Sequence, residues 1–295
     1  MIRHPLAIAT LSTLVLALSS AATAHAATGA GFVESRQTGS GGFVEIGSSS
    51  ASVTDTEWAV MGLRAAGINP ATLHRSGGKT PVGYLAALAH TWTSVYDLER
   101  GILAAHALGY NPRTFGGSTM WSRFTAQIHS GGAIGVALNS TFWGALALEA
   151  AGSSVPGATV HLIEVNQRPY GGYGWTYGAQ ADTNDTAAAV LALRRAGVSC
   201  GAHAVAAAIG YLDASQTSAH GYPLEPGEAA DSQSTSFAIQ ARQSCGYGNT
   251  LALGWLAARR VGSGAYNYQP GNSTTPLFVT AQVLPAVNDH PYPVG

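Results

Sequence analysis

The chain has 295 residues, of which 10% are charged and 46% are hydrophobic, and its formal net charge is -1. So even a balance excludes the basic field that nucleic acid or anionic membranes would require, and so apolar a composition excludes a disordered chain. The 37 glycines, set among many alanines, suit close-packed helices joined by tight turns.

Residues 1–26 have the pattern of a secretory signal peptide. Arg3 supplies the positive start, residues 6–18 are apolar but too short to span a bilayer, and Ala24-His25-Ala26 forms a small-x-small cleavage site. The expectation is an exported, extracellular protein of residues 27–295. No later apolar run is long enough to anchor it in a membrane.

Residues 27–50 are rich in Gly and Ser. A frame then begins at Asp55-Thr56 and closes at Gly67, and it recurs from Asp97-Leu98 to Gly109, Ser140-Thr141 to Gly152, Asp185-Thr186 to Gly197 and Ser234-Thr235 to Gly246. A last copy begins at Thr274-Thr275-Pro276 and lacks the closing glycine. The closing glycines are spaced by 42, 43, 45 and 49 residues (67, 109, 152, 197, 246), a period that means a repeat architecture. Each frame reads as a helix: a capping residue at 55, 97, 140, 185, 234 or 274, an Ala- and Leu-rich body, and a glycine able to end it in the left-handed conformation.

A second helical segment lies between frames, as in residues 80–91, 120–128 and 202–214. Val205, Ile209 and Leu212 in the last of these fall at helical spacing. Turns of one type follow the outer segments: Gln37…Gly41-Gly42-Phe43, Gln127…Gly131-Gly132-Ala133, Gln167…Gly171-Gly172-Tyr173 and Gln216…His220-Gly221-Tyr222. The expectation is all-α, with about six helical hairpins and roughly twelve helices. The Ala-rich frames suit an inner layer. Spacing alone leaves a closed ring and an open solenoid equally available.

The Gln-x3-Gly-x-aromatic turns and the helix start Asp182-Thr183-Asn184-Asp185-Thr186-Ala187 resemble the prenyltransferase/squalene-cyclase repeat family over nearly the whole of residues 27–295. The turn is similar to the QW motif of triterpene cyclases, with Phe43, Tyr173 and Tyr222 where Trp is most typical. The resemblance implies an α/α toroid, an inner ring of parallel helices inside an outer ring, and is greatest to secreted bacterial members. In class II terpene cyclases the helix start is Asp-x-Asp-Asp, and its middle Asp protonates an alkene or epoxide. Asn184 stands at that position here. An amide has no proton of useful acidity, so the departure falls on the residue such chemistry needs most, and Asp182 is the remaining candidate acid. Protein prenyltransferases hold zinc with Asp, Cys and His. Val198 and Gln243 occupy the places two residues before Cys200 and Cys245 where that Asp would stand, so no zinc site of that kind is expected. The Cys-Gly-Glu-Gln motif of complement-like thioester domains is absent.

The frame aligns Thr54, Tyr96, Asn139, Asn184 and Gln233 with one another, and Ser52, Asp182 and Asp231 likewise. Parallel inner helices would crowd these side chains at one mouth, beside helix N-termini. Trp58 and Trp143 follow two residues after the frame Thr, and residues 170–177 carry Tyr170, Tyr173, Trp175 and Tyr177. The expected ligand-binding set is Asp182, Asn184, Asp231, Gln233, Asn139, Trp58, Trp143, Trp175 and Tyr177. The ten histidines show no HExxH or other short ligand spacing, so neither a metal nor a cofactor is expected. Aligned frames bring Cys200 and Cys245 to the same rim of adjacent hairpins. An oxidising compartment permits a disulfide between them.

The first expectation for function is a secreted, non-catalytic toroid that binds a hydrophobic small molecule, an isoprenoid or a corrinoid, in its cavity. The alternatives are a terpene cyclase-like enzyme with altered acid chemistry and a cell-envelope interaction module. Paired carboxylates, Asp182 with Asp185 or Asp231, also fit glycosidic bond cleavage.

Overall fold

The computed structural model describes residues 28–295, so the signal-peptide segment lies outside the described residues. The described residues form twelve α-helices: α1 (Gly29–Ser35), α2 (Val53–Ala65), α3 (Pro81–Leu88), α4 (Val95–Ala107), α5 (Thr119–Thr125), α6 (Leu138–Ala150), α7 (Gly157–Val165), α8 (Thr183–Arg195), α9 (His203–Ser215), α10 (Ser232–Gln243), α11 (Thr250–Ala257) and α12 (Pro276–Val287).

The even-numbered helices are the Ala-rich frames. Each packs on the next, and α12 packs back on α2, so the inner layer closes into a ring. The odd-numbered helices pack on its outside. The architecture is an all-α, α/α toroid of six hairpins. At the seam between α2 and α12 the backbones approach closely: a Cβ on Gly62 would run into the Ala281 carbonyl.

The start of the inner helices differs from the sequence expectation by one turn. The caps are Ser52, Asp182 and Asp231, whose side chains accept from the backbone N–H of Asp55, Asp185 and Ser234. The caps expected at 55, 185 and 234 therefore move one turn earlier; α4 and α6 begin after Ser94 and Ala137, not after 97 and 140, with no side-chain cap bond, and α12 begins after Thr275, one residue past the expected 274. Asp185 lies inside the helix, and its own N–H is one of the free donors of the first turn. Two carboxylates three residues apart look alike in sequence, but only the earlier one precedes those donors.

The Thr of the frame has a different task. Thr56, Thr141, Thr186, Thr235 and Thr280 accept through Oγ1 the backbone N–H of Phe43, Ile134, Tyr173, Tyr222 and Tyr266 at 2.9–3.2 Å. Each bond staples a Gly turn onto the inner helix that follows it. In the last copy the staple is Thr280, not Thr275. The turn residue Gly171 has φ +90° and lies so close to Ala207 that a Cβ would clash with its carbonyl. His220 adopts the same left-handed conformation in the turn that lost a glycine.

Other donors of the first turn are met from the neighbouring repeat. The carbonyls of Trp175, Leu224 and Tyr268 accept from the N–H of Asn139, Thr183 and Ser232 at 2.8–3.0 Å. Glu45 does the same with its side chain. Oε1 accepts from Leu277 and Oε2 from Phe278, each at 3.0 Å, joining the first repeat to the last. Cys200, which leads into α9, is disulfide-bonded to Cys245 just after α10, with Cα atoms 5.7 Å apart. No helix among the described residues is long and apolar enough to cross a membrane.

Candidate functional site: a cavity at the inner-helix N-termini

The first turns of the inner helices surround a cavity of about 700 Å³. Its upper ring comprises Thr54, Tyr96, Asn139, Asn184 and Gln233, the set aligned by the repeat, which shows that the inner helices run parallel. One turn deeper, α2, α4, α6 and α10 contribute Trp58, Arg100, Trp143 and Phe237, and α12 contributes Gln282.

The floor is aromatic. Trp58 and Trp143 meet edge to face at 5.6 Å, and Phe278 and Phe237 flank them at 6.2 and 5.9 Å. Beneath them sits Tyr292, fully buried and 5.7 Å from both indoles. Its segment enters the ring from the opposite face, where Arg195 donates to the Tyr292 and Pro291 carbonyls. Such edge-to-face packing closes the ring's centre with rigid apolar surface. At the rim, half-exposed Trp175 stacks on Tyr96 with centroids 5.5 Å apart.

The opposite wall is acidic. Asn139 Nδ2 donates to Asp185 Oδ1 at 2.5 Å, and the Asp185 carboxyl also meets that of Asp182. Burial raises both carboxyls, and their mutual repulsion raises Asp185 further, so the pair titrates as a unit that retains a proton at neutral pH. Glu99, on the same helix as Tyr96, is buried and held well above the usual carboxylate range by desolvation. Its Oε1 has no hydrogen-bond partner. Arg100, the one basic residue in the lining, is occupied: Nε donates to Glu57 Oε2 at 3.0 Å and NH2 to Asp97 Oδ1 at 2.5 Å. Burial pushes Glu57 up to about 8 against the pull of Arg100.

Seven of the nine expected ligand-binding residues line this cavity: Asp182, Asn184, Gln233, Asn139, Trp58, Trp143 and Trp175. Asp231 and Tyr177 do not. The Asp231 carboxylate is spent on the N–H and hydroxyl of Ser234, and Tyr177 stands outside the lining, partly exposed. Sequence reasoning missed Glu99 and Arg100 in the wall, Glu57 behind it and Tyr292 under the floor. The first three break two otherwise Ala- and Leu-rich frames with charge, which was a readable signal. No group of three or more His, Cys, Asp or Glu among the described residues is placed to hold a metal ion.

No protein-family profile and no curated protein matches the chain. Solved structures do. A type II terpene cyclase from Scytonema, in complex with geranylgeranyl dihydroxybenzoate, superposes with a TM-score of 0.67 at 10% identity, covering 94% of this chain and 99% of the other. A protein from Actinoplanes gives 0.65 at 17% identity, covering 92% and 99%. A glycosidase gives 0.64 at 10% identity, covering 95% and 99%. At these identities the likeness is one of fold: the chain has the α/α toroid that the terpene cyclase and the glycosidase share.

Proposed function

We propose that this is an exported ligand-binding toroid, which holds a small molecule with an apolar body, of the isoprenoid or corrinoid kind, and does no acid chemistry on it. The observation that carries this reading is the pairing of an aromatic floor with a carboxyl pair that is a poor acid. Alkene protonation needs a strong donor close to the substrate. Burial and repulsion make Asp182 and Asp185 weaker acids than free carboxyls, and Asn184 occupies the position where the resembling cyclases carry theirs. A protonated carboxyl can still donate a hydrogen bond to a ligand's polar end. The volume lies within the range of about 300–1,000 Å³ usual for small-molecule sites, and the Cys200–Cys245 disulfide suits an oxidising compartment.

A second reading is an acid-base enzyme. Glu99 and the Asp182–Asp185 pair line one cavity. Two carboxyl groups flanking a substrate are the requirement for glycoside cleavage, and glycosidases share the fold. Incubation with squalene, geranylgeranyl diphosphate and a panel of aryl glycosides separates the readings. The binding reading expects no product from any of them and saturable quenching of cavity tryptophan fluorescence by the isoprenoids. Turnover that disappears in Asp182→Ala or Glu99→Gln would overturn it.

A further inference from the structure

The charge and hydrogen-bond pattern of the cavity bears on which polar group a ligand presents. Six inner-helix N-termini at one mouth would ordinarily favour an anion, because free N–H groups and positive dipole ends point at it. Here eight of those donors are already used. Asp182, Asp231 and Ser52 accept three of them, the Trp175, Leu224 and Tyr268 carbonyls three more, and Glu45 another two. The lining holds Asp97, Glu99, Asp182 and Asp185 against one cation, Arg100, and Arg100 is bonded to two carboxylates.

What remains unmet in the cavity wall is mostly acceptor. Glu99 is 1% exposed and its Oε1 has no partner, and Gln282 is 1% exposed with neither amide atom partnered. Asn184 Oδ1 is also unpartnered. Buried polar atoms left in this state are costly, and a ligand that satisfies them recovers that cost.

We infer that the cavity takes a ligand whose apolar body ends in an ammonium group, with the N–H donors directed at Glu99 and the Asp182–Asp185 pair and the body against Trp58 and Trp143. This inference rests on the ligand-binding reading and narrows it to one head-group chemistry. A diphosphate head is disfavoured by the same wall, since its one cation, Arg100, is already bonded to Glu57 and Asp97, leaving no free positive charge to meet it.

Three ligands with one body and different heads test it: farnesylamine, farnesol and farnesyl diphosphate, titrated at pH 7.5 by calorimetry and by tryptophan quenching. The expected order is amine, then alcohol, then diphosphate, with the amine about tenfold tighter than the alcohol. In Glu99→Gln, which keeps the side chain's size and removes the carboxyl that an ammonium group would ionise, the amine loses more affinity than farnesol does. Equal binding of amine and alcohol, or tightest binding of the diphosphate, overturns the ammonium inference and leaves ligand binding standing. Binding of none of the three to the wild type overturns both. The wild-type ranking is decisive by itself should the variant not fold.

Discussion

Asp182 Oδ1 accepts the backbone N–H of Asp185 at 2.8 Å, so two carboxylates three residues apart have unlike roles. The first closes a helix end. The second is a buried acid held against Asn139 and its own cap. Asp182→Ala is expected to cost about 1 kcal/mol or more, the usual loss for a cap. Asp185→Asn keeps the shape of a protonated carboxyl and is expected to leave stability at pH 8 unchanged or raised. Urea melts of both variants measure this. The reverse order would return the cap to Asp185.

Stability is expected to fall as pH rises. Burial raises the folded-state pKa of Asp55, Glu57, Glu99, Asp182, Asp185 and Asp231. Over the range where the unfolded chain has released these protons and the folded chain still holds them, unfolding releases protons and rising pH promotes it. For Glu57 that window runs from about 4.5 to about 8. His106 works the other way. Its pKa is lowered by burial, so its contribution is lost at acid pH. Melting temperatures from pH 5 to pH 9 should therefore decline across the neutral range. A curve rising through that range would contradict the burial of these acids.

Much of this was legible in the sequence. The period of the closing glycines counts the hairpins, and the aligned frames place Thr54, Tyr96, Asn139, Asn184 and Gln233 in one ring. The cap register was not legible, because Asp-x-x-Asp offers two equivalent carboxylates and only the backbone path distinguishes them. The last copy was misplaced by its missing glycine, whose left-handed conformation Asp289 adopts instead. Ring closure was carried by the family resemblance and not by the spacing, and the contacts that close it were not legible. The Glu45 contact to Leu277 and Phe278 spans more than two hundred residues, and no local pattern announces it.

Glu45→Ala tests that closure. It leaves two buried N–H groups of α12 without acceptors, at a cost of about 1–3 kcal/mol each, and opens the seam between α2 and α12. Hydrogen exchange should accelerate selectively in α12 and α2. Uniform acceleration around the whole ring would argue that Glu45 is not a local staple.

The Cys200–Cys245 bond closes a loop with a sequence separation of 45 residues. Chain entropy assigns such a crosslink about 4 kcal/mol. Thiol titration of unfolded, unreduced protein should find no free thiols, and the Cys200→Ser/Cys245→Ser double variant should unfold at lower urea. Two titratable thiols would remove the bridge.

The central claim is that the cavity between the carboxyl wall and the tryptophan floor holds a small molecule. Native mass spectrometry of the protein purified from its own host tests it most directly, beside Thr54→Trp, which places an indole at the cavity mouth. The account predicts a wild-type species heavier than the mature chain by one small apolar molecule, absent from Thr54→Trp. A wild-type mass equal to that of the bare chain, with no isoprenoid, alcohol or amine, taken up on addition, would contradict it.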